Sequence, residues 1–222
     1  MENPYEILIE DLSKSQIGFY NAGGSCYMAS IIQILIHSKI FLKIFFKNKY
    51  NNKDNFSWNF FNFLIKVENA HEPTPIEPLA REYNRINPKF NGSQGNNPMK
   101  FFSEFIKELS KENNEVVDIF KGRKKIKFEG MSDLNYEEDF LFLMITLDKE
   151  NYDIKKSLNN VKEFEDDKTL KLSEEIIVKP QILILNISHE NINYQFEEYI
   201  KIDDADYELK AINRYSTVHS TV

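Results

Sequence analysis

The sequence predicts an α+β fold, with a helical lobe over residues 1–115 and a β lobe over 116–222 that together make one domain. Three observations predict it. In the first half, apolar residues recur at helical spacing. After about residue 115 the texture changes to short apolar or alternating runs bounded by charges. The chain of 222 residues is 41% hydrophobic, enough for one core of generous size or two small lobes around a cleft.

In chain order, Cys26–His37 (CYMASIIQILIH) lacks Gly and Pro and is apolar on most faces, as a helix buried on several sides would be. Ser25 suits its N-cap, and a cationic His37 would suit the dipole at its end. An aromatic-rich helix is expected from Phe56 to Val67. Pro73, Pro75 and Pro78 then punctuate a connection, with Pro78 opening a short helix through Asn84. The clearest helix follows Asn97 as N-cap and Pro98 in the first turn. Its apolar face is Phe101, Phe102, Phe105, Ile106 and Leu109, and Lys100, Glu104, Lys107 and Glu108 turn outward. Lys124–Phe128, Phe140–Leu147, Gln181–Ile187 and Tyr207–Ile212 read as strands of a mostly antiparallel sheet. A short helix is expected around Ile154–Phe164 within the charged stretch from Asp148 to Glu175. No internal repeat is visible.

Lys and Arg number 28 against 35 Asp and Glu, a net charge of −7, which argues against a general nucleic-acid binder. The single cysteine rules out an intramolecular disulfide and any cysteine-based zinc ribbon, and it fits a reducing compartment. The start, MENPYEILIEDL, is acidic where a secretory signal would be basic and then apolar. The most apolar stretch, Ser30–Phe46, is interrupted by Gln33, His37, Lys39 and Lys43, unlike a membrane span. The expectation is a cytoplasmic or nuclear protein, monomeric by default, with no cofactor, no metal and no membrane or nucleic-acid partner.

A lone cysteine in such a chain is commonly a small buried hydrophobe. The setting of Cys26 shifts those odds. Asn21-Ala-Gly-Gly-Ser places a glycine-containing turn before a helix that begins at the sulfur. A helix N-terminus favours thiolate over thiol, and the turn can aim backbone N–H groups where an oxyanion forms. Asn21 can add a side-chain donor. This is the arrangement that acyl transfer by a thiol requires.

Residues 18–33, GFYNAGGSCYMASIIQ, resemble the cysteine box of the ubiquitin-specific proteases, GLxNxGNTCYMNSxLQ, with Gly, Asn, Cys, Tyr, Met, Ser and Gln in register. The likeness continues in order. FNGSQGNNPMKF (90–101) is similar to the family's FxGxxQQDAxEF segment, and VVDIFKG (116–122) to the opening of its fingers. EDFLFL (138–143), PQILIL (180–185) and YELKAI (207–212) are similar to strands that follow. The resemblance implies a papain-like fold with a helical thumb and an antiparallel β palm. It implies a thiol protease cutting after the C-terminal Gly of ubiquitin, with ubiquitin or ubiquitinated proteins as partners. Cys26 would be the nucleophile and Asn21 the oxyanion donor. His219, in VHSTV (218–222), falls where the family carries its catalytic histidine, with valine and serine replacing the flanking glycine and tyrosine.

Three departures matter. The family's orienting Asp or Asn and its final palm strands lie beyond the histidine, and three residues follow His219 here. The family's acidic position falls on Asn97, which either binds the ubiquitin tail without charge or serves as a helix cap, and its Glu falls on Lys100. The family's zinc-binding CxxC pairs have no counterpart, so Lys121–Glu137 is expected as a reduced, zinc-free finger hairpin. Three readings stay open: an active deubiquitinase, a non-catalytic relative that binds ubiquitin or another protein, and a papain-type peptidase suggested by Gly-Ser-Cys-Tyr (24–27).

Overall fold

The computed structural model describes residues 4–20, 24–90, 96–147, 154–158, 162–163, 171–188, 196–215 and 220–221. Its elements run α1 (Glu6–Lys14), β1 (Phe19–Tyr20), α2 (Cys26–His37), α3 (Lys39–Phe45), α4 (Phe56–Glu68), β2 (Thr74–Pro75), α5 (Glu77–Ile86), α6 (Pro98–Ser110) and α7 (Glu115–Asp118). They continue β3 (Gly122–Phe128), β4 (Tyr136–Phe140), β5 (Leu143–Thr146), α8 (Ile154–Leu158), β6 (Lys162–Glu163), β7 (Lys171–Val178) and β8 (Leu185–Ser188). Last come β9 (Tyr199–Ile202), β10 (Ala205–Glu208), β11 (Arg214–Tyr215) and β12 (Ser220–Thr221). Two compact units result, Met1–Val117 with Lys210–Val222, and Asp118–Leu209.

The first unit is helical, and its core is aromatic. Phe105 meets Phe60 at 5.1 Å and Phe56 at 5.5 Å edge to face and Phe101 at 5.1 Å in a tilted contact, and all four rings are buried. Such rings each bury a large apolar area and gain further from their edge-to-face geometry. Tyr50 and Tyr83 are buried in the same core, and burial pushes both hydroxyls well above the usual tyrosine range. Each keeps a polar partner: the Tyr50 hydroxyl donates to the Phe45 carbonyl at 2.8 Å, and that of Tyr83 pairs with the Asn87 amide at 3.3 Å.

Helix α2 is apolar on most faces because α1, α3, α6 and β12 all pack against it. The long apolar stretch is two helices, bent by 88° at their junction, where the Ser38 hydroxyl accepts from Phe41 N at 3.3 Å and caps α3. Among the described residues no single helix is long and apolar enough to cross a membrane. Helix α1 went unread in the sequence because its charges mask a short apolar face, with only Ile9 and Leu12 buried. The segment Ile17–Tyr20 is tied in by Thr74 N, which donates to the Gly18 carbonyl at 3.0 Å, and β1 pairs in parallel with β2.

The second unit holds an antiparallel sheet in the order β4-β3-β7-β6, a parallel pair β5-β8 and a hairpin β9-β10. The mixed α+β expectation holds. Several details differ from the sequence reading. Of the expected strands Gln181–Ile187 and Tyr207–Ile212, the structure forms Leu185–Ser188 and Ala205–Glu208. The run Phe140–Leu147 is divided: Phe140 closes β4 opposite Gly122, while Leu143–Thr146 pairs with β8. That second pairing is parallel, which the long connection between the two strands permits. Helix α8 stops at Leu158, and Lys162–Glu163 is a strand, so a helix through Phe164 is not formed. Strand β7 was hidden inside a stretch read as charged. Its acids are turned to basic partners on β3, which is why charge failed to mark a loop there.

Strand β3 is the basic centre of this sheet. Arg123 pairs with Asp139 at 2.7 Å, as does Lys121, and Lys124 lies between Glu138 (3.0 Å) and Glu174 (3.2 Å). Lys127 pairs with Glu175. The β3–β4 turn needs Gly130, whose φ is +75°, and Asn135 closes it by accepting from Phe128 N at 2.8 Å. This hairpin occupies the position of the expected finger remnant.

Candidate active site

Cys26 is the first residue of α2. Gly24, with φ +82°, turns the chain into the helix, and the Ser25 carbonyl accepts from Met28 N and Ala29 N, both at 3.0 Å. Ser25 thus holds the cap position through its backbone, while its hydroxyl makes no cap bond, unlike the side-chain cap expected. The first N–H groups of an α-helix have no acceptor within it and carry the positive end of the dipole. Cys26 therefore sits where partial positive charge is concentrated. It is buried but not sealed: 7% of its surface remains exposed, against none for Met28 and Ile32 beside it.

The helix also holds the chain on either side of the cysteine. The Tyr27 hydroxyl donates to the Phe90 carbonyl at 3.2 Å and also bonds with the Asn96 side chain, so it grips both flanks of residues 91–95. Its ring lies against Phe90 and Phe101 at 6.0 and 5.3 Å. Burial, outweighing the Asn96 bond, raises the Tyr27 pKa, which keeps the hydroxyl a donor. Two turns into the helix, Gln33 Nε2 lies 3.3 Å from the Ile17 carbonyl and 3.3 Å from His37 Nε2. His37 thus ends α2 as expected, but its ring meets an amide donor where a solvated cation at the helix end was anticipated.

Asn97 caps α6. Its side-chain oxygen accepts from Met99 N at 2.8 Å and Lys100 N at 3.2 Å, and the residue is exposed. Asn21 and His219 lie outside the described residues, as does His189, while His71 is exposed in the connection before β2. Strand β12, which follows His219 directly in sequence, runs beside α2 and pairs with β11. Among the described residues no cluster of His, Cys, Asp and Glu could hold a metal ion. The roles of Tyr27 and Gln33 were not read from the sequence. Their only signal was membership of the matched box, and the i, i+4 spacing of Gln33 and His37.

A unit with a cysteine at the head of a buried helix, and a unit built on a charge-laced sheet, make a mixed α+β fold. Solved structures share it. One is the SAGA Ubp8/Sgf11/Sus1/Sgf73 DUB module bound to ubiquitin aldehyde, with a TM-score of 0.63 and 16% identity over 90% of this chain and 51% of that one. Another is the same module with a cysteine-to-alanine variant of Ubp8, bound to monoubiquitin, with a TM-score of 0.62 and 17% identity over 89% of this chain and 51% of that one. The chain thus spans about half the length of the solved chains it matches. Among curated protein sequences none matches this one. The family model described as ubiquitin carboxyl-terminal hydrolase matches residues 17–216. This chain belongs to that family, and the matched stretch contains Asn21, Cys26 and Asn97 and ends before His219.

Proposed function

We propose that the protein is a thiol-dependent deubiquitinase that hydrolyses the bond after the C-terminal Gly of ubiquitin in the cytoplasm or nucleus. Cys26 is the nucleophile, His219 the general base and Asn21 the oxyanion donor. The Cys26 sulfur attacks the glycine carbonyl carbon as His219 takes the thiol proton, and the oxygen becomes an oxyanion held by Asn21 and by N–H groups at the start of α2. The carbon–nitrogen bond then breaks and the leaving amine takes the proton from His219. Water, deprotonated by the same imidazole, cleaves the thioester and restores the thiol.

The observation that carries this reading is the combination of Cys26 at the head of a buried helix with β12 running beside that same helix. A Cys–His pair is chemically sufficient for attack because a thiol is acidic and nucleophilic without an orienting third residue. An alkylating ubiquitin C-terminal probe is expected to label the wild-type protein at Cys26, and Cys26→Ala is expected to abolish the label. Absence of labelling on the wild type would sink the active reading. His219→Ala is expected to lower turnover by roughly 10²–10⁴-fold, the range for loss of a general base.

A second reading, a ubiquitin-binding relative without turnover, is favoured by the altered residues flanking His219 and by the small exposure of the thiol. It predicts ubiquitin binding unchanged by Cys26→Ala and no release of amine from a ubiquitin amide. Cleavage of an unrelated peptide with no action on ubiquitin would instead revive the papain-type reading.

A further inference from the structure

We infer that Gln33 is a positioning residue of this site, its amide holding the strand that runs into Asn21, so that the helix bearing the nucleophile also sets the oxyanion donor. The inference rests on the function proposed above. Gln33 lies seven residues after Cys26, two turns along α2 and on the same side of it, roughly 10 Å away along the axis. The Ile17 carbonyl can only accept, so the Gln33 atom facing it at 3.3 Å must be the amide nitrogen. The same nitrogen lies 3.3 Å from His37 Nε2, so the amide sits between the Ile17 carbonyl and the His37 ring.

The tether matters because the strand it serves is short. β1 has two residues and, among the described residues, pairs with the two-residue β2 alone, too little to fix a strand unaided. The Gly18 carbonyl accepts from Thr74 N on one side, and the Ile17 carbonyl is held by Gln33 on the other. Phe19 adds a ring contact with Phe63 at 5.6 Å. Asn21 follows β1 directly in sequence. A polar side chain on a helix whose neighbours Ile32, Leu35 and Ile36 are fully buried is explained by the carbonyl and the imidazole it meets. An oxyanion donor displaced by about 1 Å loses on the order of 10²-fold in rate, whereas substrate affinity has no stake in this tether.

The test compares wild type with Gln33→Met, which keeps the length and removes the donor, and Gln33→Glu, which keeps the shape and sets an acceptor against the Ile17 carbonyl. Both are expected to lower kcat on a ubiquitin C-terminal amide by about 10–10²-fold with KM within about twofold. Alkylation of Cys26 by iodoacetamide, which needs no oxyanion donor, is expected to stay within about twofold of wild type. Amide exchange at Gly18–Tyr20 is expected to quicken in both variants while α6 and the β3–β4 hairpin keep theirs. Wild-type kcat in both variants, a rise in KM alone, or faster exchange throughout the molecule would each overturn the inference. If the wild type shows no turnover, the proposed function fails by itself. Exchange at Gly18–Tyr20 then decides the tether, faster exchange upholding it and unchanged exchange overturning it.

Discussion

In the helical unit Phe60, Phe101 and Phe105 are stripped of solvent, and Phe105 meets Phe60 edge to face and Phe101 at a tilt. In the β unit the central strand β3 carries Arg123, Lys124, Lys125 and Lys127 and takes its neighbours from the acids of β4 and β7. Apolar burial is non-directional and indifferent to ionic strength, whereas exposed ion pairs contribute little one by one and are screened by salt. The β unit does have an apolar cluster of Phe140, Leu143, Ile145, Leu147 and Ile154, but its β3–β4–β7 face is held by charge. The candidate nucleophile and its tethers therefore belong to the unit whose core is an aromatic cluster, with its ion pairs, such as those of Glu10 with Lys14 and Lys39, on the surface. The β3–β4 hairpin, which occupies the position of the expected finger remnant, is the part whose faces are lined with ion pairs.

The largest expected effect is on the aromatic side of this contrast. Phe105→Ala removes the ring at the centre of the cluster and is expected to cost about 3–5 kcal/mol, measured by urea unfolding, with loss of exchange protection concentrated in α4 and α6. Next is Gly122→Ala, because a Cβ there would lie 2.3 Å from Cζ of the Phe140 ring. Displacing that ring is expected to cost about 1–3 kcal/mol and to loosen the β3–β4 pairing first. Lys124→Met removes the ammonium group that lies between Glu138 and Glu174 and is expected to cost about 1–2 kcal/mol. Burial works to lower the Lys124 pKa, but the bonds and charges of Glu138 and Glu174 outweigh it and the net shift is upward. A Met variant as stable as wild type would show that the charge ladder is ornamental.

Asn97→Ala is expected to cost about 1 kcal/mol through loss of the α6 cap, and Asn97→Ser to recover most of it. If the serine variant still shows a raised KM on ubiquitin substrates, Asn97 contacts the ubiquitin tail as well as capping the helix. The smallest effects are those of salt and acid. Bonds from Lys121 and Arg123 hold the Asp139 carboxyl below its usual 3.8, and a bond from Lys127 holds Glu175 below its usual 4.5. For such depressed carboxylates the stabilisation is complete above the ordinary pKa and is lost as pH falls through the folded one. The β3–β4–β7 sheet is therefore expected to lose exchange protection as pH drops below about 4.5, and 1 M salt should draw both carboxyl pKa values back toward ordinary. Glu10, held at about 2 by Lys14 and Lys39 between α1 and α3, is the internal control. Its titration should leave the aromatic core of its unit intact.

Much of this molecule was legible in one dimension. The helix after Asn97 is the clearest case, since its cap, its Pro98 and its apolar spacing agree, and all three are local properties of neighbouring residues. Cys26 at the head of α2 was legible for the same reason, with Gly24 supplying the turn that only a left-handed residue makes easily. Strand partners were not. Nothing within Leu143–Thr146 says that it pairs in parallel with Leu185–Ser188, and nothing within Lys171–Val178 says that its acids face a basic strand.

By itself, then, the sequence determined the mixed α+β class, the cysteine at a helix start and the family, because periodicity, caps and a dense local motif are written in adjacent residues. Only the tertiary structure decided that β12 returns to α2, that β3 serves as the charged centre of a sheet, and that Gln33 reaches back to Ile17. Those are contacts between residues far apart in the chain. A side chain's donors and charges acquire a role only when folding brings an acceptor or a counter-charge within about 3 Å.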